Sequence, residues 1–331
     1  MPEPTTIDLR ELTGSTTRVA FVGKSTFFEA CSLEPGPGSE VGVETTFIEY
    51  RDGAEVGGVV SELVAFEPDV TVIFRPEVLP RGAFHDLPGA VLGFLTEPLP
   101  RRERGAPGHA DLERRLGDLR RLDPGNVDRV VTFDPMIATA ASEVVPVWRS
   151  VPLPVADRFF RPVAEAKPRP KALFVGRSTP HREEFLAEAK EEGEVLHLAF
   201  GVDAGHLQEL MADHDVAVNI HNEPYPTFEN RVCLHLAAGK LLLSEPISPS
   251  HGLEAGIDYL EAADGAVLAE MLGRLRHMPG VWRDVRLRGR QKAELYRASR
   301  VYPRLIFDLL ADLRTRPSVR PGAIPAAVGG S

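Results

Sequence analysis

The chain has 331 residues, 43% of them hydrophobic and 26% charged, a balance that excludes wholesale disorder and suggests about two domains. The 48 Asp and Glu outweigh the 38 Lys and Arg, for a net charge of −10. That excludes a general basic surface for nucleic acid and leaves room only for a local basic pocket. In chain order, Met1–Thr17 is polar and without clear period, a mobile leader with one short element. Arg18–Gly23 is a short apolar run ending in Gly and reads as a buried strand. A helical segment follows, then a strand over Thr45–Tyr50. Val59–Phe66 is helix-like, and Val70–Phe74 and Ala90–Leu95 are strands. Asp111–Leu122 is a charged helix, and Arg129–Phe133 and Val144–Val147 are further strands. Arg161–Pro170, rich in Pro, Ala and charge, is a linker.

The pattern then restarts. Lys171–Gly176, Glu194–Phe200, Val216–Ile220 and Lys240–Ser244 read as strands. Arg182–Lys190, Arg231–Ala238 and Ala266–Arg276 read as helices. Trp282–Arg314 is a long helical stretch broken at Pro303, and the Pro/Ala/Gly-rich tail after Thr315 is expected to be disordered. Strands alternating with helices predict an α/β chain with parallel sheets covered on both faces. The opening Arg18-Val-Ala-Phe-Val-Gly-Lys-Ser-Thr26 is echoed by Lys171-Ala-Leu-Phe-Val-Gly-Arg-Ser-Thr179. The simplest account is two similar domains, each opening with the same strand and loop. The expected division is a leader over 1–17, a first domain over 18–160, a second over 161–281, C-terminal helices over 282–315 and a tail over 316–331.

The two cysteines, Cys31 and Cys233, are too few for a disulfide scaffold or a four-cysteine zinc site. With no secretory signal at the N-terminus, they fit a reducing cytoplasm. No apolar run approaches the ~20 residues of a membrane span. The histidines show no metal-ligand spacing, so no metal site is expected. Gly23-Lys24-Ser25-Thr26 looks like the end of a phosphate-binding loop, but that motif needs a Gly where Arg18 stands. No Gly-x-Gly-x-x-Gly follows either first strand, which speaks against a nicotinamide or flavin dehydrogenase.

Chemistry concentrates elsewhere. Gly176-Arg-Ser-Thr-Pro-His-Arg182 follows a strand and opens a helix. Backbone amides at a helix start attract an anion, and Arg177 and Arg182 beside them would clamp a diphosphate; the plain alternative is a solvated Arg182 paired with Glu183 or Glu184. Asn219–Arg231 is a polar, Pro-rich loop leading into a helix, with Thr227 as its N-cap and Glu229 in its first turn. His221, Asn222, Glu229, Asn230 and Arg231 in one such loop favour a binding site at a strand end. Ser244–Glu254 repeats the pattern: His251-Gly252 would bring amides close to a ligand, or form an ordinary turn. Gly93-Phe-Leu-Thr-Glu97 ends a strand with a carboxylate, either a general base or acceptor-hydroxyl ligand or a solvated loop acid. His85-Asp86 reads as a surface turn or a catalytic pair. Arg101-Arg102-Glu103-Arg104 reads as a solvated run or an anion patch.

Four stretches resemble the glycosyltransferases of B-type fold, and among them the spore-maturation-protein-like group. Val130–Pro135 resembles the strand and turn before the interdomain crossover, and Val151–Pro162 the crossover linker. Phe174–Arg182 resembles the opening loop of the donor domain. Asn230–Gly239, with Gly252–Leu260, resembles the nucleotide-sugar signature. The resemblance implies two Rossmann-like domains facing a cleft, with C-terminal helices returning to the first. It implies transfer of a sugar, a hexose or a related one, from a nucleotide diphosphate-sugar to an acceptor the sequence does not identify. No further cofactor is implied, and no nucleic-acid partner. The donor would be held by Arg177, His181, Arg182, His221, Asn222, Glu229, Asn230, Arg231, Gly252, Leu253 and Glu254. Glu97 would be the base on the acceptor side. The chain departs from related retaining enzymes in one respect. Their paired glutamates fall where this chain has Leu234 and Pro226. Two other readings stay open: a nucleotide-sugar epimerase of the same fold, and a non-catalytic donor-binding partner protein.

Overall fold

The computed structural model describes residues 8–34, 42–51, 56–101, 109–318 and 320. It divides into two compact units, one made of Met1–Ala156 and Ala298–Ser331, the other of Asp157–Arg297. The first unit runs α1 (Leu9–Thr13), β1 (Thr17–Gly23), α2 (Ser25–Phe28), β2 (Val43–Glu49), α3 (Val56–Phe66), β3 (Val70–Phe74) and β4 (Ala90–Leu95). It continues with α4 (Ala110–Leu119), β5 (Arg129–Thr132), α5 (Ala138–Ser142) and β6 (Arg149–Ser150). The second unit runs β7 (Ala172–Val175), α6 (Pro180–Glu191), β8 (Val195–Leu198), α7 (Ala204–Asp213), β9 (Val216–Asn219) and α8 (Asn230–Ala237). Then come β10 (Leu241–Ser244), β11 (Leu260–Glu261), α9 (Gly265–His277) and α10 (Arg283–Lys292). The last helix, α11 (Ala298–Thr315), belongs to the first unit again.

All strand pairs are parallel, with orders β2-β1-β3-β4-β5-β6 and β11-β10-β9-β7-β8. Each opening strand, β1 or β7, lies between the second and third strands of its own unit. The echoed sequences therefore occupy the same place in two equally wound Rossmann-like sheets. Strands β3 and β4 are buried along their whole length, as a parallel sheet covered on both faces requires. One face of the first sheet packs Val22, Ile73 and Val91 against Leu63 of α3 and Leu116 of α4. Phe21, one residue on from Ala20 in an extended strand, points to the other face. There Tyr302 of α11 meets Phe21 edge-on at 4.8 Å, and Phe28 stacks on Phe74 at 4.7 Å. In the second unit Phe174, Val218 and Leu243 pack against Leu186 of α6 and Leu268 and Leu272 of α9.

The structure corrects several expectations. Val144–Val147 is not a strand; it is the turn after α5, with Val145 in the core, and the strand of that region is the two-residue β6. The C-terminal helical stretch does not break at Pro303, which lies inside α11 just past its first turn. It breaks at Arg297, whose backbone is extended, where the chain leaves one unit for the other. Residues 282–315 are therefore not one module: α10 packs within the second unit and α11 within the first. In the leader, Asp8 caps α1 and Leu9 is fully buried; residues 1–7 lie outside the described residues. In the tail, Arg320 is buried, ion-paired with Asp128 at 3.1 Å and donating to the carbonyls of Phe84, Leu87 and Gly89. Residues 319 and 321–331 lie outside the described residues.

Candidate functional site

Three loops at the C-terminal ends of β7, β9 and β10 hold the polar residues of the second unit, the edge at which open α/β sheets bind ligands. After β7 the chain reaches Gly176, which is closely surrounded by side chains. A Cβ would stand 3.1 Å from Arg231 Nη1 and from the Phe174 ring, and 3.4 Å from Arg182 Nη1. The guanidiniums of Arg182 and Arg231 both lie over the Phe174 ring, 5.3 and 5.2 Å from its centroid, in cation–π range. His197 Nε2 donates to the Gly176 carbonyl at 2.8 Å and so fixes the bend.

Arg182 is a pillar under these loops. It is 3% exposed. Its Nε donates to the carbonyls of Ile220 and His221, both at 3.1 Å, and its Nη1 to the Arg177 carbonyl at 3.0 Å and Asn222 Oδ1 at 3.4 Å. Its Nη2 is 3.6 Å from Glu229 Oε1. Burial, then the neighbouring Arg231, pulls this guanidinium down to about 10. Arg177, by contrast, is exposed on the loop surface. Of the two arginines expected at a diphosphate, one is committed to the protein's own carbonyls and one faces solvent.

Glu229 is the N-cap of α8 by backbone, with no side-chain cap bond. Its carboxylate is drawn away to Arg182 and to Arg231 Nη2 at 3.3 Å. The expected cap, Thr227, is instead spent on His221, its hydroxyl 2.9 Å from Nδ1. His221 Nε2 lies 2.8 Å from the Pro246 carbonyl, which can only accept, so Nε2 carries the proton and Nδ1 accepts from Thr227. Burial lowers the pKa of this ring, which agrees with a neutral histidine tying two loops together. Asn222 uses its carbonyl to accept from Thr179 Oγ1 at 3.1 Å, and Thr179 in turn caps α6. Asn230 opens α8.

Glu245, which sequence reasoning passed over, joins the cluster at its centre. One oxygen accepts from the His221 amide at 2.6 Å and the other from His181 Nε2 at 2.9 Å. The His181 side chain stays 21% exposed, so it is an oriented imidazole at the loop surface. The third loop turns through His251 and Gly252, both in the left-handed region at φ 48° and 81°. Leu253 is buried beneath it, and Glu254 is exposed. Lys292, at the end of α10, reaches this turn: a Cβ on Gly252 would lie 3.9 Å from its Nζ. Nothing in the sequence marks Lys292 apart from other helix lysines; only the packing of α10 brings it here.

In the first unit, Glu97 follows β4 and is half-exposed. Its Oε2 accepts from Arg115 Nη1 at 2.9 Å, and its Oε1 is 3.6 Å from Arg75 Nε. His85 pairs with Asp123 at 3.0 Å rather than with Asp86. Lys24 lies over the Phe27 ring, and the Ser25 amide, where a phosphate would be held, donates to Glu49 Oε2 at 2.7 Å. Residues 102–104 of the Arg101–Arg104 run lie outside the described residues. Among the described residues no group of His, Cys, Asp or Glu is gathered to hold a metal ion, and no helix is long and apolar enough to cross a membrane.

No family model matches the chain, and no curated protein matches it. Solved structures do. The chain is similar to HepE of Anabaena in complex with UDP-glucose, at 12% identity and a TM-score of 0.58, over 89% of this chain and 100% of that one. It is similar to sucrose-phosphate synthase from Thermosynechococcus elongatus, at 13% identity and a TM-score of 0.55, over 89% and 99%. It is similar to AviGT4, a glycosyltransferase involved in avilamycin A biosynthesis, at 14% identity and a TM-score of 0.51, over 90% and 98%. At such identities the likeness defines the fold, which is the two-domain B type.

Proposed function

We propose that this chain is a glycosyltransferase that uses a nucleotide diphosphate-sugar as donor. The observation that carries the reading is the loop cluster of the second unit. Exposed Arg177, oriented His181 and, at the Gly252 turn, Lys292 stand on or against the loops at the C-terminal edge of one parallel sheet, in a chain similar in fold to a protein solved with UDP-glucose. The reaction would be displacement at the anomeric carbon. Arg177, Lys292 and the amides after β7 and β10 would stabilise the leaving diphosphate. Arg182 and Glu229 would hold the loops in shape, and the Glu229 carboxylate would accept from ribose hydroxyls. Glu97 in the first unit is the proposed base toward the acceptor. The hexosyl specificity, the spore-maturation-like subgroup and the cytoplasmic setting belong to this proposal and rest on the sequence stretches quoted above.

One observation favours a second reading. Leu234, where related retaining enzymes carry a glutamate, is 3% exposed and packed in the core of α8, so a donor-binding protein without turnover fits as well. Incubation with UDP-glucose and other nucleotide sugars, with and without mixed acceptors, separates the possibilities. Transfer, or slow donor hydrolysis, supports the enzyme. Conversion of the donor sugar without acceptor indicates an epimerase. Binding with neither indicates the partner protein. Absence of binding to any nucleotide diphosphate removes the proposal.

A further inference from the structure

The first unit carries a pocket of its own, open to solvent, where the ends of β3 and β4 meet α4 and α5. Its apolar wall is formed by Leu95, Leu99, Leu119 and Ile137. Its polar wall is a ladder of alternating charge. Glu77 Oε1 accepts from Arg75 Nε at 3.0 Å, Arg75 faces Glu97 at 3.6 Å, and Glu97 accepts from Arg115 at 2.9 Å. Arg115 also donates to Asp111, and at the rim Arg114 pairs with Asp118 at 3.2 Å.

Two atoms of this wall are unfinished. Glu77 is 6% exposed, and its Oε2 has no hydrogen-bond partner among the described residues; the same holds for Thr96 Oγ1. A buried polar atom left unpaired costs about 1–3 kcal/mol. Burial raises the Glu77 pKa despite the adjacent Arg75. The backbone at Arg75 is also strained, in the left-handed region at φ 63°. Strain and unpaired polar atoms collect where a ligand completes the structure. Both atoms are shut off from water by surrounding side chains, while the Arg75 and Glu97 side chains of the same wall are 33% and 47% exposed.

The charges say what kind of ligand fits. Every arginine of the wall already faces a carboxylate, so an anion would meet Glu77 and Glu97 as well as the guanidiniums. The lining carries three arginines (Arg75, Arg114, Arg115) against three acids (Glu77, Glu97, Asp118), so no uncompensated charge calls for a cation. What is unmet is one hydrogen-bond acceptor and one hydroxyl beside an apolar surface. We propose that this pocket binds a neutral, hydroxyl-bearing ring of the sugar or polyol class, one ligand hydroxyl donating to Glu77 and another pairing with Thr96. That this ring is the acceptor rests on the transferase reading; that it binds does not.

The test is ligand-observed NMR on the full chain with glucose, galactose, N-acetylglucosamine and myo-inositol, against glucose 6-phosphate and glucosamine as charged probes. Saturable binding of a neutral probe is expected. It should weaken about 10-fold or more in Glu77→Gln and Thr96→Val. Asp118→Trp, a bulky replacement at a part-exposed position of the lining, should abolish it and keeps the test open if Glu77→Gln fails to fold. Failure of all neutral probes, preference for a charged probe, or binding indifferent to these variants overturns the proposal. UDP binding is followed in the same samples. Loss of UDP binding with the sugar site intact removes the transferase reading alone, and the reverse removes the pocket alone.

Discussion

Arg177 and Arg182 stand five positions apart in sequence and at opposite ends of exposure. Arg182→Ala would leave the carbonyls of Arg177, Ile220 and His221 without their donor and Glu229 with one cation fewer. It should cost about 3 kcal/mol or more of stability, read as a lower denaturation midpoint. Arg177→Ala should leave that midpoint in place and weaken UDP binding about 10- to 150-fold, with uridine binding little changed. Sequence put both arginines at one ligand because both follow a strand; it had no means of seeing that a buried guanidinium answers to carbonyls brought in from β9. His235 makes a second residue-scale case. It is 1% exposed, and neither ring nitrogen has a partner among the described residues. Burial, with Arg231 and Lys240 adding to it, lowers its pKa from 6.5 to about 3. Between those values the unfolded chain binds the proton and the folded chain does not. This ring therefore withdraws stability as pH falls below 6.5. His235→Leu should raise the melting temperature at neutral pH, since an unpaired buried group costs about 1–3 kcal/mol. The gain should grow on acidification; a melting curve whose pH dependence is unchanged by the substitution would contradict this.

At the scale of elements, the strands of both sheets were legible because parallel strands buried on two faces are continuous apolar runs. The shortest pieces, β6 and β11, are two residues each and leave no pattern. Helix α7 escaped because it offers little more than the Asp203 cap, with only Ala204 and Met211 buried. The junction of α10 with the rest of the second unit depends on one small residue. A Cβ at Gly289 would run into the Asp258 carbonyl and come within 2.8 Å of a Leu236 methyl. Gly289→Ala should thus force α10 outward and cost about 1–3 kcal/mol. Because α10 carries Lys292 to the Gly252 turn, UDP binding should fall as well. Chemical unfolding and UDP titration on the same sample check the pair of effects.

At the scale of the molecule, two similar units were readable from the repeated opening, but the way the chain is shared between them was not. The second unit is inserted between β6 and α11 of the first. A periodic helix pattern shows that 298–315 is amphipathic without showing which sheet it covers. In the structure Tyr302, Leu305, Ile306 and Leu309 of α11 are all buried in the first unit, and the Tyr302 hydroxyl donates to the Cys31 carbonyl at 2.6 Å. At about 1.5–3 kcal/mol for each side chain, their loss rivals the whole stability of a domain, about 5–15 kcal/mol. A chain ending at Arg297 should keep the second unit folded and lose the first. Limited proteolysis should then leave a fragment from the second unit and none from the first.

The same insertion sets an order of events during synthesis. The strands of the first unit leave the ribosome before the second unit does, yet the helix that covers Phe21 is made only after Arg297. The second unit is one continuous stretch and can close as soon as it has emerged. Translation adds about 5–20 residues per second, so the 18 residues of α11 take about 1–4 seconds to make, and until they are made one aromatic face of the first sheet is bare. The second unit, made later, can thus be completed before the first. Chains ending at Arg297 and held on the ribosome by a C-terminal linker that spans the exit tunnel should show protease protection of the second unit and none of the first; extending the chain through Thr315 ahead of that linker should protect both.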